Sequence, residues 1–286
     1  MRRWSAPTRN RVAAAVAAAV ATCSAVACLP PPTPPAKAPP SAAGTCRPDP
    51  FTSDAARFLN TWGAGHSLTV AVFDDRTGCW YHLNRERRVT TASVVKAEIM
   101  AGALLSAQNA GRSLSVRERN LVSPMIRESA NAPASTLWVR LGGAAGMDRI
   151  GRTFGLEATN ETSPTWGLTT TTAEDQARFI HRLVQGDGPL NEASRGEAWR
   201  FLQDIRPDQR WGVRSGVPAT WAVGHKNGFA PSRCCGWRAN SVGYVADPAG
   251  GGYAIAIFTD GWPNLARGIP LVDAAAATVA TTLTAT

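Results

Sequence analysis

Three short stretches of this chain carry side chains able to do chemistry on one another. Ser93-Val94-Val95-Lys96 opens an apolar run, Ala97-Glu98-Ile99-Met100-Ala101-Gly102, that reads as a helix. A serine and a lysine at i and i+3 share a helix face, so the Lys96 amine can reach the Ser93 hydroxyl. Serine is a weak nucleophile until a neighbour takes its proton. A lysine among apolar side chains has its charged form disfavoured, which suits it to be that base. The positive end of the helix favours the oxyanion formed on attack. Ser129-Ala130-Asn131 is the second stretch, between a helical pattern over residues 116–126 and a further helix. Lys226-Asn227-Gly228 is the third, on a predicted strand, where Gly228 is small enough to let a substrate backbone approach. Each string alone has an ordinary explanation: an N-cap serine with a surface lysine, an N-cap before a helix, a polar strand end with a glycine. All three in one chain point instead to nucleophilic catalysis at Ser93.

The elements that must position these residues follow from pattern and turn chemistry. A helix is predicted over residues 52–62, then strands over 67–73 and 79–83 separated by Asp74-Asp75-Arg76-Thr77-Gly78, a hairpin turn. Residues 93–202 are dominated by helical patterns, with breaks at Gly111, Gly142-Gly143 and Gly155. Strand signals return over 221–223 leading to Lys226, then over 238–245 and 253–258, which flank the turn Asp247-Pro248-Ala249-Gly250-Gly251-Gly252. An alanine-rich helix over 269–283 follows. Strands at both ends with helices between them predict an α+β fold, with one antiparallel sheet built from N- and C-terminal segments, flanking helices and a mostly helical lobe. A cleft is expected where the lobes meet.

In this order the three stretches resemble the S-x-x-K, S-D-N and K-T-G motifs of class A β-lactamases and penicillin-binding proteins. The approach to Lys226, Gly216-Val217-Pro218-Ala219-Thr220-Trp221-Ala222-Val223-Gly224-His225, is similar to the family's, with its proline and tryptophan in place. Leu141-Gly142-Gly143 after the second motif, and Thr169-Thr170-Thr171-Thr172 before a helix, are further points of likeness. The resemblance runs from about residue 70 to the C-terminus. It implies Ser93 as the acylated nucleophile, Lys96 as its base and Ser129 as relay to the leaving nitrogen. It further implies that Asn131 orients substrate and Lys96, that Lys226 supplies positive charge near the substrate carboxylate, and that the backbone N–H groups of Ser93 and Phe229 form the oxyanion hole. Arg238, on the strand after Lys226, is a candidate carboxylate anchor because a guanidinium binds one bidentately, and Arg214 is a second.

Ala130 stands where the family has Asp, Asn227 where it has a hydroxyl residue, and His225 where an acid is common. The Asn227 amide is expected to donate to substrate in place of the hydroxyl. Residues 155–168, GLEATNETSPTWGL, hold no E-x-x-L-N, the family's source of the deacylating carboxylate. Glu157 and Glu161 are the carboxylates present. The expectation is a serine hydrolase that forms an acyl-enzyme with a β-lactam or related amide or ester and releases it slowly. The alternatives are a D-alanyl-peptide peptidase or esterase, and a non-catalytic cell-surface binding lipoprotein of the same fold.

Residues 1–28 read as a signal peptide with a basic start, an apolar run too short to span a membrane, and Ala25-Val26-Ala27-Cys28, a lipobox-like end that makes Cys28 the lipidation candidate. Seven prolines between Pro30 and Pro40 make residues 29–48 an extended linker, and 49–286 the hydrolase domain. The chain is therefore expected outside the cell, on the outer face of the bacterial cytoplasmic membrane through a lipid anchor, or otherwise secreted. Four of the arginines behind the net charge of +9 lie in the leader, and the other basic residues are scattered among acids. Nucleic-acid binding is not expected on that pattern. The expected partner is a small-molecule or peptidoglycan-derived acyl donor, met by a monomer. The spacing of cysteines and histidines suits no metal, and no cofactor is expected. In an oxidising compartment a Cys46–Cys79 disulfide is predicted, while Cys234 and Cys235 pair elsewhere or stay free.

Overall fold

The computed structural model describes residues 45–161, 165–232 and 235–285. The predicted signal peptide, Cys28 and nearly all of the linker lie outside the described residues. Helix α1 (Ser53–Trp62) starts where the Thr52 hydroxyl accepts the Ala55 N–H. The hairpin β1 (Ser67–Asp74) and β2 (Cys79–Leu83) pairs Asp74 with Cys79 across the predicted turn. A short strand β3 (Arg88–Thr90) leads into a 3-10 turn, Ala92–Val95, that runs straight into α2 (Lys96–Asn109). Helices α3 (Val116–Arg127), α4 (Asn131–Arg140) and α5 (Gly143–Thr153) complete the helical lobe. A 3-10 turn, Trp166–Leu168, and strand β4 (Thr170–Thr172) bring the chain back to β3, and α6 (Ala173–Val184) and α7 (Glu192–Gln203) follow. Strands β5 (Ala222–Ser232), β6 (Gly236–Ala246) and β7 (Gly252–Trp262) precede the last helix, α8 (Leu265–Leu283).

The five long strands form one antiparallel sheet in the order β2-β1-β7-β6-β5, so the N-terminal hairpin joins the three C-terminal strands through β1 and β7. Because side chains alternate along a strand, each strand feeds two cores. Val70, Val72, Ile255 and Ile257 pack with α1 and α8 on one face. Ala71, Ala254, Ala256 and Phe258 meet the helical lobe on the other. Each buried Val, Ile or Phe side chain among them contributes about 1.5–3 kcal/mol. The predicted α+β architecture is the one observed. Helix α8 begins four residues before the predicted start, since Asn264 caps it by accepting the Arg267 N–H and Pro270 is accommodated inside.

Cys46 and Cys79 are bonded, with Cα atoms 5.7 Å apart across 33 residues, as predicted. A cross-link of that span removes about 3–4 kcal/mol of unfolded-chain entropy. Cys235 is also disulfide-bonded. Among the described residues no helix is long and apolar enough to cross a membrane.

Candidate active site

Helix α2 is buried on nearly every side from Lys96 to Leu104, as a central helix must be when lobes pack around it. Its lysine is therefore wholly out of water while Ser93, one turn earlier, keeps partial exposure. Ala92, just before the serine, has φ of +48°, a conformation costly for a side chain with Cβ. The strain is held by close packing of the turn on β5. A Cβ at Gly228 would lie 2.6 Å from the Thr91 carbonyl and 2.7 Å from the Val94 nitrogen. The expectation that Gly228 makes room for substrate is thus corrected: the space beside it is filled by the protein's own nucleophile turn.

The Lys96 Nζ donates to Ser93 Oγ at 2.9 Å and to Asn131 Oδ1 at 2.8 Å, and it lies in hydrogen-bond reach of the Ser129 carbonyl and of Ser129 Oγ at 3.1 Å. Lys226, also fully buried, reaches the same Ser129 Oγ from the other side at 3.0 Å and donates to the Asn227 carbonyl at 2.8 Å. Ser129 has φ of +58°, the second strained position in the cluster, and this turns both its oxygens to the lysine. The ordinary explanation of Ser129 as a helix cap does not describe it. Ala130 occupies the cap position of α4, and the Ser129 hydroxyl serves the two lysines. Among the described residues neither lysine has a carboxylate partner. Burial alone pushes Lys96 down to about 8, and burial together with the charge of Lys96 lowers Lys226 well below its ordinary value.

Ser93, Lys96, Ser129, Asn131 and Lys226 therefore form one hydrogen-bonded cluster drawn from α2, the α3–α4 junction, α4 and β5. Asn227 is not part of it, which corrects a second expectation. It is 2% exposed, and its two amide hydrogens go to the carbonyls of Gln209 at 2.7 Å and Trp211 at 3.3 Å. Its Oδ1 accepts from Ser241 Oγ at 2.7 Å, so no donor is left for a substrate. Side chains alternate across a strand, and an amide at this position is drawn to the bare carbonyls behind β5. His225 shares that side, bonded through Nε2 to the Gln209 carbonyl at 3.1 Å, and burial lowers it to about 4, which keeps it neutral. The Phe229 ring stands 6.4 Å from that of Trp211. Arg238 donates to Ser232 Oγ at 3.3 Å and Arg214 to the Val223 carbonyl at 3.2 Å. The Nε atom of each is buried without a hydrogen-bond partner.

Three residues given no role from the sequence complete the site. The Trp166 ring lies 4.8 Å from the Lys96 Nζ, its indole N–H donating to Ser135 Oγ at 3.2 Å. It belongs to the short segment, residues 155–168, that holds no E-x-x-L-N. Glu157 is exposed at the start of that segment. Glu161 is buried, close enough to Glu98, two residues beyond Lys96, for its charge to raise that carboxyl. Gln176 on α6 donates to Glu98 at 2.8 Å. A glutamate inside the apolar run of α2 was the one available signal, because a buried carboxyl requires a partner.

Comparison with known proteins bears on the fold and the family. The profile of the family described as "Beta-lactamase enzyme family" matches residues 104–283. The chain is 30% identical over 196 residues to the protein named "Putative lipoprotein LppW" of Mycobacterium tuberculosis, the match covering 63% of this chain and 60% of that protein. Among solved structures, PBP-A superposes with a TM-score of 0.69 at 18% identity, over 80% of this chain and 95% of that one. The β-lactamase from Streptomyces albus G gives 0.67 at 23%, over 80% and 99%. The class A β-lactamase from Mycobacterium abscessus gives 0.67 at 21%, over 81% and 99%. With its sheet order, its helical lobe and a family match over most of its length, this chain belongs to the β-lactamase enzyme family.

Proposed function

We propose that the protein is an exported serine acyl-enzyme former that reacts with β-lactams or related amides and esters and discharges the product slowly. The observation that carries this reading is the 2.9 Å contact between Lys96 Nζ and a partly exposed Ser93 Oγ, made by a buried amine with no counter-ion among the described residues. With Lys96 at about 8, roughly one molecule in ten holds it neutral at pH 7. A neutral amine takes the Ser93 proton as Oγ bonds to the substrate carbonyl carbon. The scissile C–N bond then breaks, and the proton passes to the leaving nitrogen through Ser129, whose hydroxyl touches both lysines. Lys226 adds positive charge beside that hydroxyl, and Arg238 and Arg214, with their unpartnered Nε atoms, are candidates to hold a substrate carboxylate.

Slow release is supported by where the carboxylates lie. Glu161 is buried against Glu98, and its carboxyl is raised toward the protonated form by that burial. Trp166 occupies the face of Lys96 instead of a base. Without general-base help to water, deacylation loses about 10²–10⁴-fold. A mutant of PBP-A has been captured as an acyl-enzyme complex with penicillin G, a relative in fold at 18% identity, which fits the same reading. Lipid anchoring at Cys28 is part of the proposal. It is supported by the lipobox-like sequence and by the lipoprotein name of the mycobacterial relative.

The test is covalent labelling by a fluorescent penicillin, followed in time and mapped by mass spectrometry. Label on Ser93 that outlasts the free drug is the expected result, and it should vanish in Ser93→Ala. Absence of any label would favour a binding lipoprotein of the same fold.

A further inference from the structure

Glu98 and Glu161 are buried to 1% and 3% exposure, and among the described residues neither is ion-paired. One oxygen of each has a donor: Glu98 Oε1 receives Gln176 Nε2 at 2.8 Å, and Glu161 Oε2 receives Thr169 Oγ1 at 2.7 Å. The other two, Glu98 Oε2 and Glu161 Oε1, have no hydrogen-bond partner among the described residues, and the two carboxyls lie close enough for the charge of Glu161 to raise Glu98. Two bare carboxylate oxygens cannot face one another out of water, so a proton between them is the only donor that satisfies both. Glu98 belongs to the helix that carries Lys96. Glu161 opens the segment that carries Trp166.

Thr169 links the pair to the chemistry. Its hydroxyl lies 2.7 Å from Glu161 and 2.8 Å from the Trp166 carbonyl, which its N–H also approaches at 3.2 Å. Its own carbonyl accepts the Thr91 N–H at 2.9 Å, two residues before Ser93. We propose that Glu98 and Glu161 share one proton and act as positioning residues, fastening Thr169 and through it seating the Trp166 ring on the Lys96 amine, where it keeps water from the acyl ester. The inference rests on the reading of Ser93 as nucleophile and adds a device that sets the lifetime of its ester.

The charged groups around the pair are the carboxylates of Asp175 and Asp148 and the guanidinium of Arg152, which lines the same cavity as Glu161. Asp175 on α6 accepts from the Ala158 N–H and the Thr159 hydroxyl, and Asp148 on α5 is ion-paired with Arg152. On α2 itself, Lys96 turns its charge to Ser93 and Asn131. With Arg152 held by Asp148, alkaline pH that removes the shared proton leaves two buried carboxylates in repulsion. The loop should then loosen and Trp166 leave Lys96.

Hydrogen exchange of residues 156–172, corrected for the intrinsic effect of pH, tests this on the whole protein without any substrate. In the parent, protection should hold through neutral pH and fall about tenfold or more toward alkaline pH, the scale of one buried hydrogen-bonded contact. In Glu161→Gln the amide donates to Glu98 at every pH, so the dependence should flatten, and Glu98→Gln should do the same from the other side. His181 still titrates in both variants, which isolates the pair from that residue on α6. Acyl-enzyme lifetime, where the label forms, should shorten at alkaline pH in the parent and stay level in Glu161→Gln. Parent and both variants losing protection at one common pH would overturn the proposal. Failure of the label to form at all would instead strike the assignment of Ser93, leaving the exchange result to judge the pair.

Discussion

Two buried groups of cations in this molecule have opposite surroundings. In the cleft, Lys96 and Lys226 touch hydroxyls, an amide oxygen and carbonyls, and no carboxylate. At the β1–β2 turn, Arg76 is bidentate to Asp74 at 2.8 and 3.0 Å, bonds Asp247 at 2.9 Å and caps the α8 carbonyl of Leu283 at 3.0 Å. At Asp75, the residue before Arg76, His181 sits between that carboxylate at 3.5 Å and Asp187 at 3.4 Å, with Tyr244 also bonded to Asp75. Burial disfavours charge in both places. Counter-ions reverse that for His181: burial lowers it, the hydrogen bonds and charges of Asp187 and Asp75 outweigh the burial, and it rises to about 9. Lys96 has no such offset and falls to about 8. The same burial gives a structural clamp where charges are paired and a poised base where they are not.

The largest effect expected from breaking this contrast is at Lys96. Lys96→Ala should slow acylation of Ser93 by about 10²–10⁴-fold, the usual worth of a general base, with initial binding little changed. Its thermal stability should hold or rise, because an unpaired buried amine is removed. Single-turnover labelling beside a melting curve checks both. A large loss of stability would mean that Lys96 is held for structure.

Arg76→Ala should invert that result. Asp74 is fully buried and would lose its bidentate partner, keeping only Arg47 at 3.8 Å, so the cost approaches that of an unpaired buried charge, about 3–5 kcal/mol. Denaturant unfolding should show that loss while the labelling rate per folded molecule stays within about twofold. A loss under about 1 kcal/mol would put the clamp's worth at the level of surface pairs.

pH separates the two regions by sign. His181 has a folded value above its ordinary 6.5, so its stabilisation is complete below about 6.5 and disappears as pH rises through about 9. The loss is about 3 kcal/mol at most. For Lys96 the folded value lies below the ordinary 10.5, so holding its proton costs stability below about 8, and the cost fades between about 8 and 10.5. Stability against pH should therefore fall less in His181→Gln than in the parent up to about 9. Lys96→Ala should lack the relief above about 8. A parent curve that rises steadily from about 6.5 to 9 would contradict the assignment of His181.

How much of this was legible in the sequence depended on whether a residue's partner was near it in a regular element. Ser93 and Lys96 were readable because a helix fixes which residues meet at i and i+3. The alternation in β1 and β7 made the sheet readable for the same reason. The motif sets Asn227 and Gly228 beside Lys226 and so predicts that they face substrate. Their true partners, Gln209, Trp211 and the Thr91–Val94 backbone, are set by strand packing that no local pattern encodes. Trp166 and the Glu98–Glu161 pair depend on the path of an irregular segment, which sequence periodicity does not describe. The clamp at Arg76 joins the β1–β2 turn, the β6–β7 turn and the end of α8, three places that meet only after the sheet has formed.

The smallest expected effect tests whether burial, rather than ion pairing itself, separates the clamp from the rest of the surface. Arg57 and Asp54 on α1 form an i,i+3 pair at 3.2 Å, with side chains 73% and 87% exposed. Water already solvates both ions, so the pair gains little attraction and orders two mobile side chains. Arg57→Ala should change unfolding free energy by about 0.5 kcal/mol or less, and added salt should not alter the difference measurably. Arg76 forms the same kind of contact with Asp74, at 11% and 0% exposure. If Arg57→Ala costs as much as Arg76→Ala, charge pairing would be what stabilises this protein wherever it occurs. The absence of a counter-ion beside Lys96 would then be a large general cost instead of a feature of the cleft. A several-fold gap between the two variants, in the expected direction, would tie the value of a counter-ion to the removal of water, which is the condition that makes its absence at Lys96 useful.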